Sequence, residues 1–166
     1  GLDGASVAAH GADPLQTGKS CVGYLTLPLS GGAMAHIHVN WLSPTKIRQM
    51  VIGGTKRTLV WDDLNPQQRL SVYDRGVDLA SQSKEATTTA SERDANISYR
   101  LGDTWSPALP EREALAGVAT EFATAIREKR EARTSGASGL RVLSVLEAAT
   151  GSLRNAGAPH PIDTTD

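Results

Sequence analysis

"MAHIHVNWL", residues 34–42, decides how this chain is read. Its side chains alternate. Ala35, Ile37, Val39 and Trp41 fall on one side of an extended strand, and Met34, His36, His38 and Asn40 on the other, because successive strand side chains point to opposite faces. The aliphatic set is expected against a core, with Trp41 among it. The polar set is left for solvent, a ligand or a second subunit.

Working outward, "CVGYLTLPLS" (21–30) alternates Leu25, Leu27 and Leu29, and "SGG" (30–32) supplies a hairpin turn. Pro28 donates no ladder hydrogen bond and marks an edge or a strand end. "KIRQMVIGG" (46–54), "RTLVWDD" (57–63), "RLSVYD" (69–74) and "ANISYRLGDTW" (95–105) read as further strands, punctuated by Gly, Pro and Asn. The polar stretch between the last two, residues 77–94, reads as a long surface loop. Residues 1–19 show no period and are expected to be an irregular entry segment.

The period then changes. In "SPALPEREALAGVATEFATAIREKREA" (106–132), Leu115, Val118, Ala119, Phe122 and Ile126 recur at helical spacing behind Pro110, Glu111 and Glu113. "TSGASG" breaks that helix, and "LRVLSVLEAATGSL" (140–153) forms a second, stopped by "NAGAPHP". Strands first and helices last indicate an α+β fold, an open, mostly antiparallel sheet with helices packed on one face. The body of the domain is expected over residues 20–155, with 156–166 as a tail.

The chain has 166 residues, 21% of them charged, and a formal net charge of −1. Nothing in that balance favours nucleic acid or an anionic membrane, and no apolar run reaches the length of a membrane span. A single cysteine, Cys21, excludes an internal disulfide and a cysteine-based zinc cluster; the cytoplasm is the expected location. The sequence starts without methionine and is read as a processed product or a fragment, the fragment being favoured.

Few motifs carry chemistry. A dinucleotide cradle needs glycines between a strand and a helix, whereas the glycine clusters here join strand to strand or helix to helix. No G-x-S-x-G elbow is present. His36 and His38 share a strand face and read either as two metal ligands lacking a third or as a polar interface pair. Lys46 and Arg48 read either as a clamp for phosphate or carboxylate or as surface cations paired with Asp62 and Asp63. Tyr99, Arg100 and Asp103 flank Gly102 and read either as polyol-binding groups or as an ordinary strand end.

Taken in order, "GGAMAHIHVNWLSPTKIRQMVIGGTKRTLVWDDLNPQQRLSVYDRGV", "SYRLGDTWSPALPEREALAGVATEFATAIREK" and "SGLRVLSVLEAATGSL" resemble the C-terminal domain of the Gfo/Idh/MocA oxidoreductases, nearest to UDP-N-acetylglucosamine 3-dehydrogenase-like members. The resemblance covers about residues 20–155. It implies a parent enzyme in which an N-terminal Rossmann domain holds NAD(P) and this domain supplies substrate contacts and a subunit interface. The family's Trp-Leu-x-Pro-x-Lys-x-Arg pattern maps onto Trp41, Lys46 and Arg48. Its Glu-Lys-Pro lysine, and the aspartate and histidine on a helix before the sheet, have no counterpart here. No catalytic, cofactor-binding or metal-binding residue is therefore carried over. The candidates for substrate or interface contact are His36, His38, Asn40, Lys46, Arg48, Tyr99, Arg100 and Asp103. The expected partners are a Rossmann domain, a sugar or nucleotide sugar, and a second copy of the chain. The alternative readings are a stand-alone, non-catalytic oligomerisation or binding module and a metal-binding protein built on the two histidines.

Overall fold

The computed structural model describes residues 6–79, 97–100, 102–111 and 113–163. They form an α+β chain with two open antiparallel four-stranded sheets, a two-stranded ribbon and two helices. The chain separates into two compact units: one joins the polypeptide up to Pro44 with that from Glu113 onward, and the other is the stretch between.

In the first unit, β1 (Ser6–Ala12), β2 (Val22–Pro28), β3 (Met34–Asn40) and β10 (His160–Pro161) assemble in the order β10-β1-β2-β3, all antiparallel. The β2–β3 hairpin closes through a short 3-10 turn, Ser30–Gly32, in which Gly31 and Gly32 both have positive φ; only glycine adopts that without strain. Pro28 is the last residue of β2, opposite Met34, so its missing N–H falls at a strand end.

Two helices, α1 (Ala114–Glu128) and α2 (Gly136–Arg154), complete the unit. Glu113 caps α1, its carboxylate accepting from the Leu115 and Ala116 amides at 3.0 and 2.6 Å, which pulls that carboxyl below its ordinary range. Ser135 caps α2. Helix α2 packs on β1. Val7, Ala9, Leu27, Ala148, Ala149 and Ile162 form the buried cluster between them. Ser152 is fully buried there. Its hydroxyl accepts from the Ala9 amide at 2.8 Å and donates to the Ala158 carbonyl at 2.7 Å, so it stitches helix, sheet and the exit from α2 together.

Three expectations need correction. Ser6–Ala12 is a strand, not an irregular entry; its inward residues include only Val7 and Ala9, too small to show a hydrophobic period. The tail is also structured: β10 pairs with β1, and Ile162 is buried. Trp41 lies outside the core, 65% exposed. Helix α2 lies over β1, whereas β3 is at the far edge of the sheet, so Val39, on the α2 side, also stays 53% exposed. The stripe Leu115, Val118, Phe122 and Ile126 does form one side of α1, but it too is exposed.

Beyond α1, Arg130 donates to Glu121 at 2.7 Å, and the Arg133 amide donates to the same carboxylate at 3.0 Å. These two donors hold the Glu121 carboxyl down to about 2, against 4.5 ordinarily. A carboxyl lowered by folding adds stability above its unfolded value and loses it as pH falls toward the folded one. Between pH 4.5 and 2 the wild-type melting temperature is therefore expected to fall more steeply than that of Glu121→Gln. Melts followed by circular dichroism check this; parallel slopes would contradict it.

The second unit holds β4 (Gln49–Gly53), β5 (Thr58–Asp62), β6 (Leu70–Tyr73) and β9 (Thr104–Trp105), in that order, and the ribbon β7 (Gly76–Leu79) with β8 (Ile97–Arg100). The single strand expected over 95–105 is thus two, β8 pairing with β7 and β9 with β6. The step between them is tight. The Asp74 amide donates to the Asp103 carbonyl at 2.8 Å, and a Cβ on Gly102 would lie 2.2 Å from the Asp74 carbonyl oxygen. Of the polar stretch 77–94, residues 77–79 belong to β7 and the rest lie outside the described residues.

Candidate functional site

The hairpin register builds the site. Pro28 faces Met34, so Thr26 faces His36 and Tyr24 faces His38; on the other side Tyr24 faces His10 of β1. These side chains stand on the sheet face opposite α2. The Tyr24 ring stacks on His38 with centroids 4.5 Å apart and planes 3° from parallel, and on His36 at 6.1 Å and 25°. Directly opposed side chains on a sheet lie within reach of each other, and flat rings in neighbouring rows stack. All three are exposed. His10 lies against Gly157, where φ is +83° and a Cβ would collide with the imidazole.

Of the residues singled out in sequence, His36 and His38 are brought together and Asn40 shares their face. The Asn40 carboxamide oxygen accepts from the Leu42 amide at 2.9 Å, shaping the exit from β3. Lys46 and Arg48 belong to the other unit and precede β4 rather than lying on it. Arg48 contacts Asp63 at 3.5 Å, both exposed, the pairing weighed above against an anion clamp. Tyr99 and Arg100 are placed by backbone pairing with Val77 and Gly76, and Asp103 contributes its carbonyl to the step beside β9. Tyr24 was missed in sequence. The signal was available: counting back from the "SGG" turn puts residue 24 opposite residue 38.

The site can offer a flat aromatic surface with imidazole, phenol and carboxamide groups for hydrogen bonding. Among the described residues no group of three or more His, Cys, Asp or Glu is placed to hold a metal ion. Neither described helix offers a dinucleotide cradle at its N-terminus. The N-terminus of α1 is closed by the Glu113 carboxylate, which repels pyrophosphate. That of α2 follows a helix and is capped by Ser135, so neither presents the free amides at a strand-to-helix turn that such a ligand requires. No described helix is long and apolar enough to cross a membrane.

No protein-family model matches the sequence, and no curated protein does. Solved structures do match. UDP-N-acetylglucosamine 3-dehydrogenase GnnA from Acidithiobacillus ferrooxidans superposes with a TM-score of 0.68 at 21% identity, over 90% of this chain and 40% of that one. Levoglucosan dehydrogenase in complex with NADH and levoglucosan superposes with a TM-score of 0.68 at 16% identity, over 98% of this chain and 45% of that one. What the chain shares with these dehydrogenases is a fold. It is the fold that the sequence resemblance implied, and the chain spans less than half the length of either enzyme.

Proposed function

We propose that this chain is the substrate-binding and oligomerisation domain of an NAD(P)-dependent oxidoreductase acting on a sugar or nucleotide sugar. The observation that carries the reading is the likeness of fold over 90–98% of this chain to 40–45% of two sugar dehydrogenases. One of them is solved with NADH and a sugar. In this reading the dinucleotide is held by a Rossmann domain elsewhere in the same enzyme. That division of labour agrees with the misfit between NAD(P) and both helix N-termini. The exposed face around Tyr24, His36 and His38 serves contact with a second copy.

Two measurements test it. The 166-residue chain is expected to leave NADH fluorescence unchanged and to turn over no sugar; dinucleotide binding or turnover above background overturns the division of labour. The gene's whole reading frame, expressed as one polypeptide, is expected to oxidise a sugar or nucleotide sugar with NAD or NADP. If no such activity appears and the chain self-associates, the stand-alone oligomerisation module replaces the enzyme reading.

A further inference from the structure

The outer face of the β10-β1-β2-β3 sheet is unusual in what it lacks. Among the described residues, none of the side chains that these strands turn away from α2 is Asp, Glu, Lys or Arg, although 21% of the whole chain is charged. A solvated sheet face ordinarily alternates to polar and charged residues, and exposed edges are commonly protected by charge. An uncharged face fits contact with an identical face, because near a two-fold axis any fixed charge meets its own copy. The titratable groups on it are His10 from β1, Tyr24 from β2, and His36 and His38 from β3. His160 of β10 is on the other side, against Gly151. The nearest carboxylate along β1, Asp13, is engaged in the β1–β2 loop by the Gly18 amide and the Thr17 hydroxyl. Among the described residues, the side chains that the four strands themselves turn to this face thus include no carboxylate to balance a proton gained there.

We propose that self-association through this face is controlled by protons: the neutral imidazoles of His36 and His38, stacked with Tyr24, permit it, and their cations disrupt it. This rests on the self-association in the function proposed above. Imidazole is the side chain that changes charge around neutral pH, and burial against a second copy disfavours its cation, so association is favoured at the higher pH and weakened on acidification. Each imidazole whose titration is lowered by one unit on association weakens it by about tenfold once protonated.

Sedimentation velocity of the chain at pH 8.0 and 5.5 tests this, with circular dichroism confirming the fold at both. A dimer at pH 8.0 that dissociates at 5.5 is expected, and the double variant His36→Gln/His38→Gln is expected to stay dimeric at both. A wild-type dimer indifferent to pH overturns proton control and leaves self-association standing; a monomer at both pH values overturns both. A double variant that still dissociates on acidification places control elsewhere and overturns the proposal. Two readouts are independent of that variant's assembly. Tyr24→Arg is expected to be monomeric at pH 8.0, and a dimeric Tyr24→Arg overturns the choice of face. The His36 and His38 ring resonances are expected to titrate at lower pH in concentrated than in dilute wild-type samples, and coincident titrations overturn the mechanism.

Discussion

Replacing Ser152 with alanine is expected to cost the first unit about 2–4 kcal/mol, since a buried amide loses its partner at about 1–3 kcal/mol and a part-buried carbonyl loses a hydrogen bond worth about 0.5–1.5 kcal/mol. The Ala9 amide and the Ala158 carbonyl both end on that hydroxyl, and Ser152 itself is closed to water. The size of the effect comes from the orphaned amide more than from the lost bonds. Thr150→Ala is the control. That hydroxyl donates to the Leu146 carbonyl within α2 and is exposed, so its removal is expected to stay within about 0.5 kcal/mol. Urea unfolding of both variants decides the matter. If the two lose equally little, Ser152 is not the stitch described here.

The second large effect is expected in the other unit, at Gly102. A methyl there would sit 2.2 Å from the Asp74 carbonyl oxygen. Backbone must move, because no flexible side-chain end can yield. Gly102→Ala is expected to cost about 1–3 kcal/mol, the usual penalty for forcing extra volume into a filled space. It should also speed exchange of the Asp74 amide proton, whose partner is the Asp103 carbonyl beside the inserted group. The same change at Gly117, in α1 with nothing within 4 Å of the new methyl, is expected to stabilise by about 0.5–1 kcal/mol. Opposite signs for one chemical change separate steric need from helix propensity. A neutral Gly102→Ala with unchanged Asp74 exchange would remove the account given for this step.

Elements with a strong period were legible in sequence. The β2–β3 hairpin, β4 to β6 and both helices carry bulky apolar residues at strand or helix spacing, with glycine, proline or asparagine between them. The entry strand was not legible, because Val7 and Ala9 offer little contrast with Ala8, and its stability comes from neighbours far along the chain, α2 and β10. The same holds for His160–Pro161, where proline argues against a strand until its edge position is known. Trp41 failed for another reason. Alternation assigns a side chain to a face but does not say how far the helix above that face extends. His36 and His38 were found as a pair, whereas Tyr24 required the register, a property of two strands together.

The discontinuous first unit bears on how the protein is made. Strand β1 is synthesised before the middle unit, yet its covering helix and its second strand neighbour are synthesised after it. The middle unit can complete its pairings while β1 and β2 still await α2. Contacts across so much intervening polypeptide slow folding, and a half-covered strand exposed during synthesis is prone to wrong pairing. The late step is then the docking of α2 through its alanines, small enough to settle on the sheet without rearranging what has already formed.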